Sequence, residues 1–306
     1  MANILITGGA GFIAGALAAR LAEDPANFVV IIDNLITGQK SRVPLRENIV
    51  FVRGDVNEIR DIQSLFSIHK FDYVFHYAAL VGVKRTLDNP VSVLRDIDGI
   101  RNIMELSVEH KVKRVFYSSS SEVYGEPVHI PQNEHTTPLN SRLPYAIVKN
   151  LGEAFLKSYQ KEYGLDYTVF RFFNTYGPGQ SEDFVVTRFI RAALEGRDIT
   201  VYGDGMQTRT FCFIDDNVEV CAGALGKDVF VNDVVNVGSD DEVTILDLAK
   251  LIISLTGSES KIVHLPPLEE GDMTRRKPDN AKMRDFLRRD LLPLESGLRE
   301  IIRILS

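Results

Sequence analysis

Residues 3–15 read NILITGGAGFIAG, and this stretch decides the fold. Ile4, Leu5 and Ile6 are apolar on successive positions, as expected of a strand covered on both faces by helices. Gly8, Gly9 and Gly11 then allow a tight turn, and Phe12 and Ile13 open a helical pattern. A helix starting there aims free N–H groups and the positive end of its dipole over the turn, which suits a pyrophosphate. The spacing is Gly8-x-x-Gly11-x-x-Ala14, with a small residue replacing a third glycine. A glycine turn can also be purely structural. Here it lies between the first strand and the first helix, and Asp33 closes the second strand 18 residues after Gly15. That is where a carboxylate would meet a ribose hydroxyl.

Outward from this unit, short apolar runs alternate with helical patterns. Strands are expected at 3–9, 28–34, 49–56, 73–80, 114–120 and 167–174, with helices at 12–24, 59–70, 91–111 and 145–163. The alternation predicts an α/β fold, a Rossmann doubly wound parallel sheet. After about residue 175 shorter strands (199–203, 234–238, 261–265) mix with helices near 184–195, 215–226, 244–257 and 291–305. Loops rich in Gly, Pro and charge, such as LPPLEEGDMTRRKPDN at 265–280, join them. The expected division is an NAD-binding domain over 1–175, to which a segment near 210–240 returns, and a smaller C-terminal α/β substrate-binding lobe over 176–306.

The composition narrows the partners. A net charge of −7 disfavours nucleic acid and anionic membranes, which call for basic surfaces. An anionic small substrate stays compatible if a few basic side chains converge. Cys212 and Cys221, with no metal-ligand spacing around them, predict neither a zinc site nor a disulfide framework, so no metal is expected. The opening MANILITGG has no basic n-region and no apolar run reaches membrane-spanning length, so a soluble, cytoplasmic chain is expected. Asp33-Asn34-Leu35 offers no adjacent Arg for a 2′-phosphate, although Lys40 and Arg42 follow, which favours NAD over NADP. Arg53-Gly54-Asp55 ends a strand, and Asp55 suits the adenine edge better than an adhesion role.

Tyr145-Ala146-Ile147-Val148-Lys149 follows Pro144, a good first-turn residue. Positions i and i+4 share a helix face, so the Lys149 ammonium can sit beneath the Tyr145 hydroxyl and favour its phenolate. On its own such a pair also fits surface decoration. VFYSSSSEVYGEP at 115–127 changes this, because a strand ending in four serines would bring a hydroxyl, Ser120, beside the phenol. Ser120, Tyr145 and Lys149 then form a proton-handling trio beside a nicotinamide site.

TGGAGFIAG, DNLITG, GDV, HYAAL, SSSSEVYGEP, YAIVK, RFFNTYGPGQ, VYGDGMQTRTFCFIDD and RRKPD occur in order over roughly residues 3–285. As a set they resemble the extended short-chain dehydrogenase/reductases that act on nucleotide sugars: 4-epimerases, 4,6-dehydratases and UDP-glucuronate decarboxylases. The resemblance implies that Tyr145 takes the proton from a sugar hydroxyl, usually at C4, while hydride passes to tightly held NAD. Ser120 would orient that hydroxyl and Lys149 would bind the nicotinamide ribose. It further implies cofactor contacts from Gly8, Gly11, Phe12 and Ile13 in the first turn, and from Asp33, Asn34, Asp55 and Val56 at the adenosine end. Tyr77, Ala78, Ala79, Ser118 and Phe172 complete that set with Tyr145 and Lys149. For the nucleotide sugar it implies Lys84, Ser120, Ser121, Asn174, Val185, Arg188, Tyr202, Arg209, Arg276 and Asp279. Arg276, between Arg275 and Lys277, also fits a solvated charge run.

Glu122 leaves the reaction open. Epimerases of this kind commonly have a small or hydroxyl residue there, whereas dehydratases and decarboxylases tend to have Glu, which can remove a C5 proton. The glutamate could equally be structural. Ser121 stands where the dTDP-glucose dehydratases usually have Asp. Phe184 stands where the decarboxylases usually carry a carboxylate-binding arginine, and YAIVKN lacks their basic residue after the lysine. The expectation is therefore an NAD-dependent 4-epimerase, with a UDP-sugar favoured, then a dehydratase, then a decarboxylase. A non-catalytic NAD or sugar-nucleotide sensor is the alternative from another class. Apolar stripes on 91–111 and 145–163 further suggest a four-helix homodimer interface.

Overall fold

The computed structural model describes residues 2–267 and 274–306, with the side chains of 83 and 84 also outside the described set. The chain runs β1 (Ala2–Thr7), α1 (Phe12–Leu21), β2 (Asn27–Asp33), β3 (Ile49–Arg53), α2 (Ile59–His69) and β4 (Tyr73–His76). It continues with α3 (Val83–Asp88), α4 (Pro90–Leu94), α5 (Asp96–Glu109), β5 (Arg114–Ser120), α6 (Pro144–Tyr163) and β6 (Asp166–Phe172). Next come β7 (Thr175–Tyr176), α7 (Val185–Leu194), β8 (Ile199–Tyr202), β9 (Thr208–Thr210), β10 (Cys212–Phe213) and α8 (Ile214–Gly226). Last are β11 (Asp233–Val237), β12 (Glu242–Thr244), α9 (Ile245–Thr256), β13 (Ile262–Leu265), α10 (Ala281–Leu287) and α11 (Leu294–Leu305).

Seven strands form one sheet in the order β11-β6-β5-β4-β1-β2-β3, the doubly wound Rossmann arrangement. β1 pairs in parallel with both β2 and β4, so Ile6 lies level with Ile31 on one side and Phe75 on the other. The direction of winding therefore reverses between β1 and β4, and ligands of such sheets bind beyond the strand ends at that point. Ile4–Ile6 and Val29–Ile32 are completely buried, which accounts for their unbroken apolar runs.

The chain divides into two compact units. The first comprises 1–123, 141–171 and 218–235, and its core joins Leu5, Val30, Ile32, Phe66, Ile103, Val115 and Val169. The second comprises 124–140, 172–217 and 236–306, with the short pairings β7–β10, β8–β13 and β9–β12. The expected helix over 91–111 is two, α4 and α5, with Arg95 between them. The expected strand over 73–80 stops at His76, because the amides of Tyr77 and Ala78 turn to the Thr7 hydroxyl instead of a neighbouring strand.

Candidate functional site

The first turn is built for an anion. Gly8 lies at φ +70°, and a Cβ there would come within 2.8 Å of the Ala78 backbone, so only glycine fits at the switch point. α1 starts at Phe12 with Gly11 as its N-cap and no side chain capping it, which leaves the amides of its first turn for a ligand. At the end of β2, Asp33 accepts the Ala10 amide (3.0 Å) and the Leu35 amide (2.8 Å), so its carboxylate is fixed beside that turn. Gly38 packs on the same carboxylate, where a Cβ would approach within 2.6 Å. Asn34 donates to Asp55 at 3.0 Å, joining two more of the expected adenosine-end residues, and Val56 is buried. These features fit a dinucleotide: uncapped helix amides for the pyrophosphate and a pre-set carboxylate for a ribose.

At β4 the Thr7 hydroxyl accepts the amides of Tyr77 and Ala78, each at 3.1 Å, and lies 2.8 Å from His76 Nδ1. With both lone pairs taken, the Thr7 proton is assigned to Nδ1, which makes His76 the Nε2–H tautomer. Burial, helped by the Lys149 charge, pushes His76 down to about 3, so it stays neutral at working pH. The Tyr77 hydroxyl is buried against Cys221, and burial raises both groups. Ala79 is half-buried beyond Ala78, and Phe172 is buried at the end of β6.

Lys149 meets the end of β5. α6 begins with Pro144 at its first position, ends on Gly164 in the left-handed region, and buries Ala146, Val148, Lys149, Gly152, Glu153 and Leu156. Two ionisable residues therefore lie on its buried face. Lys149 Nζ donates to the Ser118 carbonyl (2.6 Å) and the Ser118 hydroxyl (3.2 Å). It also lies 5.0 Å from the centroid of the Tyr117 ring and 5.8 Å from that of Tyr145. Burial lowers Lys149 to about 8, and the charge of Asp96 partly opposes this. Asp96 opens α5, accepts the Leu80 amide at 2.8 Å, and is itself raised by burial. Gly152 has to be glycine, because a Cβ would strike the Tyr117 hydroxyl.

The serine run divides its labour. Ser118 holds Lys149, and the Ser119 hydroxyl donates to Glu153 at 2.6 Å. Ser120 accepts the Glu122 amide at 3.2 Å, and Ser121 is buried in the short turn Ser121–Tyr124 that carries Glu122. Tyr145, Lys149 and Ser118 are thus brought together in the first unit, to which Ser120 also belongs. Sequence reasoning missed Thr7, His76, Asp96, Ser119, Glu153 and Arg171 there. Glu153 alone left a trace, eight residues after Tyr145 on the same helix face.

The second unit carries most of the residues expected at the nucleotide sugar. Asn174 sits at φ +36° and donates to the Thr210 carbonyl at 2.9 Å, while Arg209 donates to the Thr208 carbonyl at 2.8 Å. Arg276 is buried, which removes the solvated-charge alternative for it. Asp279 accepts from Asn133 (2.9 Å) and caps the Ala281 amide (3.2 Å), so its carboxylate serves the protein's own backbone and side chains. Val185 is the first residue of α7, and Phe184 is its half-exposed N-cap. The Arg188 guanidinium lies 5.8 Å from the Tyr202 ring and 5.6 Å from that of Phe189, with its Nε buried and lacking a hydrogen-bond partner among the described residues. Burial lowers the pKa of Arg188. The side chain of Lys84 lies outside the described residues.

Among the described residues, no cluster of His, Cys, Asp or Glu suits a metal ion, and no helix is long and apolar enough to cross a membrane.

Comparison with known proteins shows the family. The model of the NAD dependent epimerase/dehydratase family matches residues 4–238. A UDP-N-acetyl-alpha-D-glucosaminuronate decarboxylase of Bacillus cytotoxicus is 37% identical over 314 aligned positions, covering 98% of this chain and 96% of that protein. The crystal structure of a Thermotoga maritima UDP-glucose 4-epimerase with UDP-glucose matches with a TM-score of 0.92 at 32% identity, covering 99% of this chain and 98% of that one. A Thermus thermophilus UDP-glucose 4-epimerase in complex with NAD matches at 0.90 and 27% identity, covering 98% of each chain.

Proposed function

We propose a 4-epimerase of UDP-sugars, from the premise that the chain belongs to the NAD dependent epimerase/dehydratase family. The observation that carries it is Lys149, a buried ammonium pinned by the Ser118 carbonyl one helical turn from Tyr145. A fixed cation there favours the Tyr145 phenolate, which takes the proton from the sugar hydroxyl and later returns it. Ser120, on the last residue of β5, orients that hydroxyl. Bound NAD supplies the reversible oxidation at the same carbon. The amides at the start of α1 and the Asp33 carboxylate are the groups that would hold it. On the substrate side, Arg188, Arg209 and Arg276 take the diphosphate, with Asn174.

Epimerisation needs no further acid or base, and Glu122 then serves as a turn residue whose amide caps Ser120. Phe184 at the head of α7 supports this reading, since an aromatic ring cannot hold a sugar carboxylate. A decarboxylase of UDP-uronic acids is the second reading. It is supported by the Bacillus cytotoxicus relative and by Arg188, a guanidinium packed against rings and able to take a carboxylate. A 4,6-dehydratase using Glu122 as the C5 base comes third. α5 and α6 are also proposed to pair in a homodimer, with exposed Ile147 and Tyr163 on α6 at the contact.

Incubation with UDP-, dTDP-, GDP- and CDP-sugars, including UDP-glucose and UDP-glucuronate, followed by mass spectrometry tests the choice. A product of unchanged mass and altered retention is expected from a UDP-sugar. Loss of carbon dioxide would move the assignment to decarboxylase, and loss of water to dehydratase. Bound NAD with no turnover would leave a sensor.

A further inference from the structure

A tightly organised buried polar group outside the Tyr145–Lys149 pair is Glu153. It lies one turn beyond Lys149 on the buried face of α6. Arg171 of β6 grips its carboxylate through Nε (2.9 Å) and Nη2 (2.6 Å), and both side chains are only 1% exposed. The fork of Arg171 against two carboxylate oxygens is already a complete structural unit. A third bond is added to it, the Ser119 hydroxyl at 2.6 Å. Ser119 stands between Ser118, which holds Lys149, and Ser120, the proposed substrate-orienting hydroxyl.

We infer that Ser119, anchored by the Glu153–Arg171 pair, is a positioning residue for Tyr145 and Lys149. The inference rests on the reading of those two side chains as the proton-handling pair. The end of β5 is bolted to one face of α6 at two successive residues, through Lys149 onto Ser118 and through Ser119 onto Glu153. Glu153 cannot move in response, because Arg171 ties it to the neighbouring strand β6. The Ser118 carbonyl is thereby held where the Lys149 ammonium meets it, and the distance from that ammonium to the phenol follows. Positioning of this kind matters because displacements of about 1 Å at a reacting group can cost roughly 10²-fold in rate. Ser119 thus answers why the strand ends in successive hydroxyls: one holds the cation, the next fixes the strand, and the third faces the chemistry.

The test is a spectrophotometric titration of tyrosinate in the NAD-bound protein, taken as the difference between each variant and the same variant carrying Tyr145→Phe. It needs no substrate. The groups facing Lys149 and Tyr145 are Asp96 from α5, His76 from β4 and Tyr117 from β5. Those facing Glu153 are Arg171, Tyr117 and Tyr167. Ser119→Ala changes none of them, so a moved midpoint reports geometry. The Tyr145-dependent midpoint is expected to rise by at least about half a pH unit in Ser119→Ala and to return in Ser119→Thr. A midpoint unmoved in Ser119→Ala, with circular dichroism unchanged, overturns the inference while leaving the Tyr145–Lys149 reading intact. A wild-type protein with no Tyr145-dependent step below the ordinary tyrosine range overturns that reading, and this inference with it.

Discussion

One turn apart on the same face of α6, buried charge is handled in two opposite ways. Arg171, brought up by β6, meets Glu153 in a two-point ion pair closed off by Ser119. Lys149 instead meets a carbonyl and a hydroxyl, and the nearest countercharge felt there, Asp96, only partly offsets burial, so its pKa falls to about 8. A paired guanidinium is fixed in charge and place, which suits a structural member. An ammonium held by neutral oxygens stays close to the point of giving up its proton, which suits a group that must tune a neighbour. The paired end keeps still so that the unpaired end can act.

The sharpest way to break this contrast is to remove the group that Lys149 serves. Tyr145→Phe keeps the ring and deletes the hydroxyl, and kcat is expected to fall by about 10²–10⁴-fold with the melting temperature little changed. Steady-state kinetics on whichever UDP-sugar the wild type converts would check it, and retained turnover would remove Tyr145 from the chemistry. At the other end of the helix face the expected effect is on stability. Glu153→Ala leaves Arg171 buried and uncompensated, and urea unfolding should show a loss of about 3–5 kcal/mol. Replacing both partners, Glu153→Met with Arg171→Met, should recover most of it, because an apolar pair of similar size leaves no charge stranded. If the single variant unfolds like the wild type, the pair is not the anchor described here.

The difference between the two ends also explains what could be seen in the sequence. NILITGG and FVVIID are apolar without alternation because both faces of β1 and β2 are covered, and the glycine turn could be recognised because its spacing is local. Tyr145 and Lys149 could be paired because helical spacing is a local rule. The partners of Glu153 could not, because Ser119 and Arg171 come from different strands, 34 and 18 residues away, and only the assembled sheet brings them together. The same holds for Thr7 with His76, joined across adjacent strands at a separation of 69 residues. The serine run showed that hydroxyls were wanted at the strand end but not which hydroxyl faced which partner, since that depends on how β5 meets α6. Arg276, expected at the nucleotide, also fitted a solvated charge run because its neighbours are charged; its burial depends on the loop's path.

Lys149 offers a pH test of the unpaired end. Its folded value, about 8, lies below the ordinary lysine value of 10.5. Below pH 8 it is charged in both folded and unfolded chains, and the folded state bears the full desolvation cost. Between pH 8 and 10.5 the unfolded chain binds the extra proton, so this group's contribution makes stability rise with pH across that window. Lys149→Met should therefore stabilise the protein at pH 7 by about 3 kcal/mol while abolishing turnover, and the advantage should shrink as pH climbs through 8 and close near 10.5. Urea unfolding of both proteins at pH 7 and at pH 9.5 would measure it. A gap that does not narrow at pH 9.5 would mean that Lys149 is not held as a strained cation.

The smallest expected effect falls on Glu122. If the reaction is oxidation, turning and re-reduction at one carbon, two proton-handling groups suffice, and the glutamate contributes through its backbone amide to Ser120. Glu122→Gln preserves that amide and the side chain's size, so kcat should stay within about threefold of wild type, a change well short of the 10²-fold that loss of an acid or base brings. A dehydratase would behave differently, because its C5 proton needs a carboxylate to receive it and an amide cannot. A drop of about 10²-fold or more in Glu122→Gln, with folding unchanged, would make the carboxylate a participant. The Glu122 carboxylate would then handle a proton beyond those of Tyr145 and Lys149, and the contrast along α6 would no longer account for the chemistry by itself.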